Sequence, residues 1–150
     1  MNTISYSMTC DHKACDDQFV AAETAARHGD WQLCRKLSGQ FEQALSQHFL
    51  AEEDILFPRF ETLTGMTQGP TAVMRAEHAA MRDIVFSLRH AAASESLDDF
   101  LGHADTLLVY MQQHNLKEEN MLYPMMDRAL HAETGALLDL VQQQLAVQSA

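Results

Sequence analysis

The sequence predicts an all-α domain, an up-down-up-down four-helix bundle with a short C-terminal helix, with residues 1–150 forming a single unit. Three observations carry that expectation. Ala, Leu, Gln, Glu and Met, all good helix formers, dominate the composition. Only 6 Gly and 3 Pro interrupt it, while 47% of the residues are apolar, enough for a packed core. Apolar residues also recur at helical spacing, as in Phe41, Leu45, Phe49 and Leu56, with His48 and Glu52 on an adjacent stripe.

The elements follow in order. A first helix is predicted from Thr9 to Arg27, capped by Thr9 or Asp11 and stopped by Gly29. Asp30 caps a second helix, Trp31 to Leu63. Thr64 to Pro70, reading TGMTQGP, is the clearest loop. A third helix runs from Thr71 to Ala93, and Ser94 to Leu97 turns the chain. A fourth runs from Asp98 to Leu130, and a shorter one from Glu133 to Val147. Pro58 and Pro124 fall inside the second and fourth helices and should each kink the helix or end it and start another. Short connections make the neighbours antiparallel.

Charge and cysteine usage bound the function. A net charge of −11 argues against nucleic acid and against anionic membrane surfaces as partners. No apolar run approaches the roughly 18 residues of a membrane span. The opening MNTISYSMTCDHK lacks the basic and apolar regions of a secretory signal. With three cysteines, Cys10, Cys15 and Cys34, the expectation is a cytoplasmic protein with reduced thiols.

One motif is written twice. HFLAEEDILFP from His48 and HNLKEENMLYP from His114 both read H-x-L-x-E-E-x-x-L-aromatic-P, and 114 − 48 is 66. A second pair obeys the same offset: His12 after Asp11 and His78 after Glu77, since 78 − 12 is also 66. His12 lies 17 residues before Gly29 and His48 lies 19 after it, so at about 1.5 Å per residue the two differ in height by only about 3 Å. The same reasoning brings His78 within roughly one turn of Glu52, and the fourth helix closes the ring. The i, i+4 spacing sets His48 over Glu52 and His114 over Glu118 on one helix face. Four histidines and two carboxylates thus converge inside the bundle, where a pair of metal ions bridged by the carboxylates would satisfy all six. Zinc usually takes four ligands with Cys or His dominant, so this set suits iron or manganese better.

At these residues the chain resembles the hemerythrin-like, HHE cation-binding family, from Asp11-His12 through HFLAEEDILFP and Glu77-His78 to HNLKEENMLYP. Ferritin-like di-iron proteins use Glu-x-x-His instead. The resemblance implies two iron ions bridged by an oxo or hydroxo group in a four-helix bundle. His12 and His48 would serve one iron, His78 and His114 the other, and Glu52 and Glu118 would bridge them. Oxygen-carrying members have a fifth histidine one turn before the third-helix histidine, where this chain has Met74. The expected protein ligand set is therefore symmetric, with open coordination sites for a small ligand: dioxygen, peroxide or nitric oxide. Two classes of function fit: a module that stores oxygen or senses or buffers iron, and an enzyme that reduces peroxide or nitric oxide. The missing histidine favours the second.

Other residues carry paired readings. Asp16, four residues after His12, is a ligand or an outer partner, and Glu53 and Glu119 are outer partners or exposed. Tyr110, one turn before His114, bonds a bound oxygen ligand or is a half-buried core residue. Met74, Met81 and Met111 line a dry pocket or fill the core. Cys10 and Cys15 flank His12 as a redox pair or as inert thiols. His103 is about 16 Å along its helix from His114, too far to share a metal, and His28, His90 and His131 sit near helix ends, facing solvent or capping.

Overall fold

The computed structural model describes residues 2–147, all-helical with no strand among them. Helix α1 spans Ile4–Arg27, α2 Trp31–Ala51, α3 Phe57–Thr64, α4 Pro70–Ala93, α5 Leu97–Lys117, α6 Tyr123–Ala129 and α7 Thr134–Leu145. The long helices form a bundle in which α1 packs on α2, α4 on α5, α2 on α4 and α1 on α5, with α7 laid across α2.

Asp30 caps α2 as its sequence suggests, its Oδ1 accepting from the Leu33 N–H at 3.1 Å. Helix α1 instead starts at Ile4, five residues before the expected Thr9. The cause is long-range. Thr3 Oγ1 accepts from Tyr6 N–H at 3.0 Å, and the carboxylate of Asp127, on α6, accepts from Ile4 N–H at 2.8 Å and from Ser5 Oγ at 2.5 Å. The orphan donors of the first turn are thus satisfied from the far end of the chain. The internal repeat reproduces the device at α4, where Thr71 Oγ1 donates to Glu61 at 2.7 Å; Thr71 and Asp127 lie 66 residues after Ser5 and Glu61.

At each proline the α-helix ends and a new one begins, as expected, but through a widened turn. Ahead of each, the chain widens into one π-helical turn, Glu52–Leu56 and Glu118–Leu122. Phe57 N–H bonds back to the Glu52 carbonyl and Tyr123 N–H to that of Glu118, after which Pro58 and Pro124 sit in the first turn of α3 and α6, where their missing donor is harmless. Gly65 ends α3 in the left-handed region at φ 71°, a conformation that suits glycine.

Two apolar clusters fill the interior. One, around Phe19, Phe41, Val85, Leu88, Phe100 and Leu107, lies toward the α1–α2 and α4–α5 turns. The other, around Met8, Leu56, Phe60, Met74, Leu122 and Met126, lies toward α3 and α6. Met81 and Met111 join the first and Met74 the second, so all three methionines are core filler. Along the chain of each long helix and its continuation, the histidine of the repeat falls between residues of the two clusters, which makes a polar layer sandwiched by apolar ones. No helix among the described residues is long and apolar enough to cross a membrane.

Replacing Asp127 by alanine is expected to cost about 1–2 kcal/mol by unfolding α1's first turn. Urea denaturation with far-UV circular dichroism measures it, and an unchanged midpoint would refute the capping role.

Candidate metal centre

The polar layer contains six side chains brought together from four helices. His12 comes from α1, His48 from α2, His78 from α4 and His114 from α5, while Glu52 and Glu118 open the two π-helical turns. All six are buried: His12 is 5% exposed and the others 1% or less. They gather in two sets. Donor atoms of Glu52, His78, His114 and Glu118 lie within 4.8 Å of one another, and so do those of His12, His48 and Glu118. The imidazoles pair correspondingly, His12 with His48 at 4.5 Å between ring centroids and His78 with His114 at 4.9 Å.

Each imidazole is held from outside by a carboxylate. His12 Nδ1 lies 2.6 Å from Glu119 Oε2, His48 Nδ1 2.8 Å from Asp11 Oδ2, His78 Nδ1 2.6 Å from Glu53 Oε2 and His114 Nδ1 2.8 Å from Glu77 Oε1. An ionised carboxylate only accepts, so each Nδ1 carries a proton and each Nε2, the nitrogen left to bind a metal once it is free of its own proton, is aimed inward. The arrangement obeys the repeat: His12–Glu119 matches His78–Glu53, and His48–Asp11 matches His114–Glu77. Glu53 and Glu119 are therefore outer partners, each of a histidine on another helix. The widened turn lets Glu52 face inward while its neighbour Glu53 reaches sideways to α4, and likewise Glu118 and Glu119.

The inward atoms fit a metal. Of the five buried side-chain polar atoms without a hydrogen-bond partner among the described residues, four belong to the centre: Glu52 Oε1, His78 Nε2, His114 Nε2 and Glu118 Oε2. His78 Nε2 stands 3.1 Å from Glu52 Oε1, and His114 Nε2 stands 3.2 Å from Glu118 Oε1, close yet not aligned for hydrogen bonding. At metal–ligand distances of about 2.1 Å, neighbouring corners of an octahedron are about 3 Å apart, so these spacings are ones that donors to a common ion could have.

Electrostatics follow from burial and mutual contact. Burial alone would lower the pKa of His12, but its contact with Glu118 and the charges of Glu118 and Glu52 push it up to about 9. His78 is likewise held at about 9, burial being outweighed by Glu52 and Glu53. Burial and the facing charge of Glu118 push Glu52 up to about 7; burial would raise Glu118 as well, but its contacts with Glu52, His114 and His12 hold it well below the usual range. Partial burial would raise Glu53, but His78 and Arg82 hold it at about 2.

The remaining expectations divide. Tyr110 is 36% exposed and touches nothing in the centre: the buried stripe of α5 runs Leu107, Met111, His114, Glu118, which leaves Tyr110 at its edge. Asp16 is exposed on α1 and joins neither donor set, which corrects its reading as a ligand. Cys10 is exposed and Cys15 buried, with no disulfide between them, and burial pushes the Cys15 thiol well above its ordinary value. Three residues escape the sequence reading. Asp11 and Glu77 were visible as part of the repeat, but their role in holding the histidine of the adjacent helix needs the fold. Tyr123 is the aromatic of the second motif copy, and its phenol enters the centre, donating to Glu52 Oε2 at 2.7 Å and lying 3.1 Å from His12 Nε2.

Comparison with known proteins agrees with this geometry. The hemerythrin HHE cation binding domain matches residues 3–126 and, a second time, residues 70–149; the two starts differ by 70 − 3, or 67, one residue from the repeat. An uncharacterized hemerythrin-like protein of Schizosaccharomyces pombe is 25% identical over 134 residues, 89% of this chain and 64% of that relative, so the chain spans less than two thirds of the relative's length. No solved structure matches the chain.

Two outcomes are expected. His12 and His78 are protonated more readily folded than unfolded, so their stabilisation of the metal-free protein is complete below the unfolded value of 6.5 and disappears as pH rises to about 9. Thermal melts of metal-free protein should therefore fall across that window while metal affinity, which requires those protons to leave, rises. Removing an outer carboxylate by Asp11→Ala or Glu77→Ala should weaken metal binding about 10–100-fold with the stoichiometry unchanged, measured by competition with a chelator.

Proposed function

Because this chain belongs to the hemerythrin HHE cation-binding family, we propose that it is a non-heme di-iron protein taking up dioxygen, peroxide or nitric oxide at open iron coordination sites. The observation that carries the reading is the inward set of four orphaned donor atoms in a layer closed by apolar clusters on both sides. Leaving such atoms without a partner costs about 1–3 kcal/mol each, a cost that ions remove. His12, His48, His78 and His114 would hold the irons through Nε2, with Glu52 and Glu118 between them. Imidazole with carboxylate in this number suits iron or manganese over zinc.

When bound, the irons supply a Lewis-acidic, redox-active pair for the small oxidant. The chain's own groups do the rest. The outer carboxylates fix each imidazole's tautomer and angle. Phe49, stacked on His78 at 3.9 Å, and Phe57, at 5.8 Å, keep that side of the layer apolar. The carboxyl of Glu52, pushed up to about 7, is part-protonated at neutral pH in the metal-free protein, and a bound metal would displace that proton to solvent.

The same reading takes the four long helices as an up-down-up-down bundle and the free thiols as suited to the cytoplasm. It favours turnover of the oxidant over reversible storage, because the position of a fifth histidine is filled by Met74, buried in the core.

The test is anaerobic loading with ferrous iron, followed by exposure to oxygen, peroxide and nitric oxide with metal analysis and visible spectra. Two irons per chain and a spectral change with at least one of the three ligands are expected. A protein that retains no stoichiometric iron, or whose loaded centre responds to none of them, would overturn the proposal.

A further inference from the structure

The two halves of the centre share their histidines and carboxylates but not their surroundings. Residue 57 of the first motif copy is Phe, and its counterpart 66 residues later is Tyr123. The Tyr123 hydroxyl meets four donor atoms: Glu52 Oε2 at 2.7 Å, Glu118 Oε1 at 3.0 Å, His12 Nε2 at 3.1 Å and His48 Nε2 at 3.4 Å. An octahedron gives every corner four neighbours at about 3 Å for metal–ligand bonds of about 2.1 Å. The phenol oxygen thus stands as a further corner of the polyhedron that His12 and His48 begin.

The charges differ in the same sense. Around the other half, Glu53 is bound by Arg82 at 2.8 Å and Glu77 by Lys117, and Arg82 and Arg75 lie over the Phe49 and Phe57 rings at 5.2 and 5.4 Å. The counterparts of Arg75, Arg82 and Lys117, 66 residues earlier, are Thr9, Asp16 and Ala51. Asp11 and Glu119 have no Lys or Arg partner among the described residues; Lys13 is exposed and turns to Asp17 at 3.6 Å. Unneutralised carboxylates draw the Nδ1 protons of His12 and His48 outward and make those imidazoles stronger donors. Three cations near His78 and His114 oppose added positive charge there.

We propose that the two metal positions are chemically distinct: the one held by His12 and His48 takes the Tyr123 oxygen as an additional ligand and favours the trivalent ion, whereas the His78–His114 position, walled by Phe49 and Phe57, favours the divalent ion and receives the small ligand. This rests on the two-iron reading above. On metal entry the Tyr123 hydroxyl proton leaves to solvent and the phenolate oxygen takes its place on the ion. The extra donor is therefore opposite the half where Met74 replaces the family's fifth histidine, and the ligand set is not symmetric as its histidines alone suggest.

The test uses the diferric protein, its metal content, its visible spectrum and resonance Raman scattering. A phenolate-to-iron(III) band with enhanced tyrosine ring modes is expected in wild type. It should persist in the Tyr6→Phe/Tyr110→Phe double variant, which leaves Tyr123 as the last of the 3 tyrosines, and vanish in Tyr123→Phe with both irons retained. One electron equivalent from dithionite should reduce one iron and leave the band, and a second should abolish it. A two-iron wild type without the band, its loss in the double variant, its survival in Tyr123→Phe, or its disappearance with the first electron would each overturn the inference and leave the di-iron function standing. Should Tyr123→Phe fail to fold, the double variant and the stepwise reduction decide. Failure of wild type to hold two irons would overturn both.

Discussion

Everything in this fold is arranged around burying four imidazoles and two carboxylates at one level of an apolar bundle. Such groups are costly in isolation, and burial alone would drive the histidines neutral and the carboxylates protonated. Contact between opposite charges reverses the effect for His12 and His78 and keeps Glu118 ionised. A ring of outer carboxylates completes the balance, one to each Nδ1. Helix lengths, the widened turns and the end caps all serve to hold this layer in register.

Much of that layer was legible before the structure, because duplication doubles each signal. A lone His-x-x-x-Glu on a helix says little. Two copies, with two further histidines at the same 66-residue offset, select six positions, and the structure brings all six together. Helix boundaries at Arg27, Trp31 and Ala93 follow from local chemistry, Asp30 and the short turns. The start of α1 did not, because its cap is 123 residues away in sequence. Nor did the outer carboxylates: Asp11 and Glu77 are spelled beside one histidine but bind another across the helix pair. Tyr110 shows the limit of spacing arguments: at about 100° per residue it falls about 40° to one side of His114, while Leu107, Met111 and Glu118 fall to the other, which leaves it off the buried stripe.

The departures from two-fold likeness are as informative as the likeness. Gly29 and its counterpart Glu95 both adopt positive φ, 72° and 55°, at the two hairpin turns, so the backbone has kept a conformation that the later side chain suits poorly. Around the centre the divergence is directional: Phe to Tyr at one wall, and Thr, Asp and Ala against Arg, Arg and Lys at the rim. The ligand-bearing scaffold is preserved while its dielectric and charge are redistributed between halves.

The bond from Ile4 N–H to Asp127 has a bearing on biosynthesis. As the chain leaves the ribosome, α1 emerges before α6, and its terminal donors must stay hydrated until the segment carrying Asp127 has been translated. Glu119, which orients His12, arrives scarcely earlier. The first hairpin can gather its own apolar face during elongation, but the polar layer closes only after the segment from His114 to Asp127 has been translated. A product truncated before Glu119 therefore lacks the groups that complete the polar layer around His12.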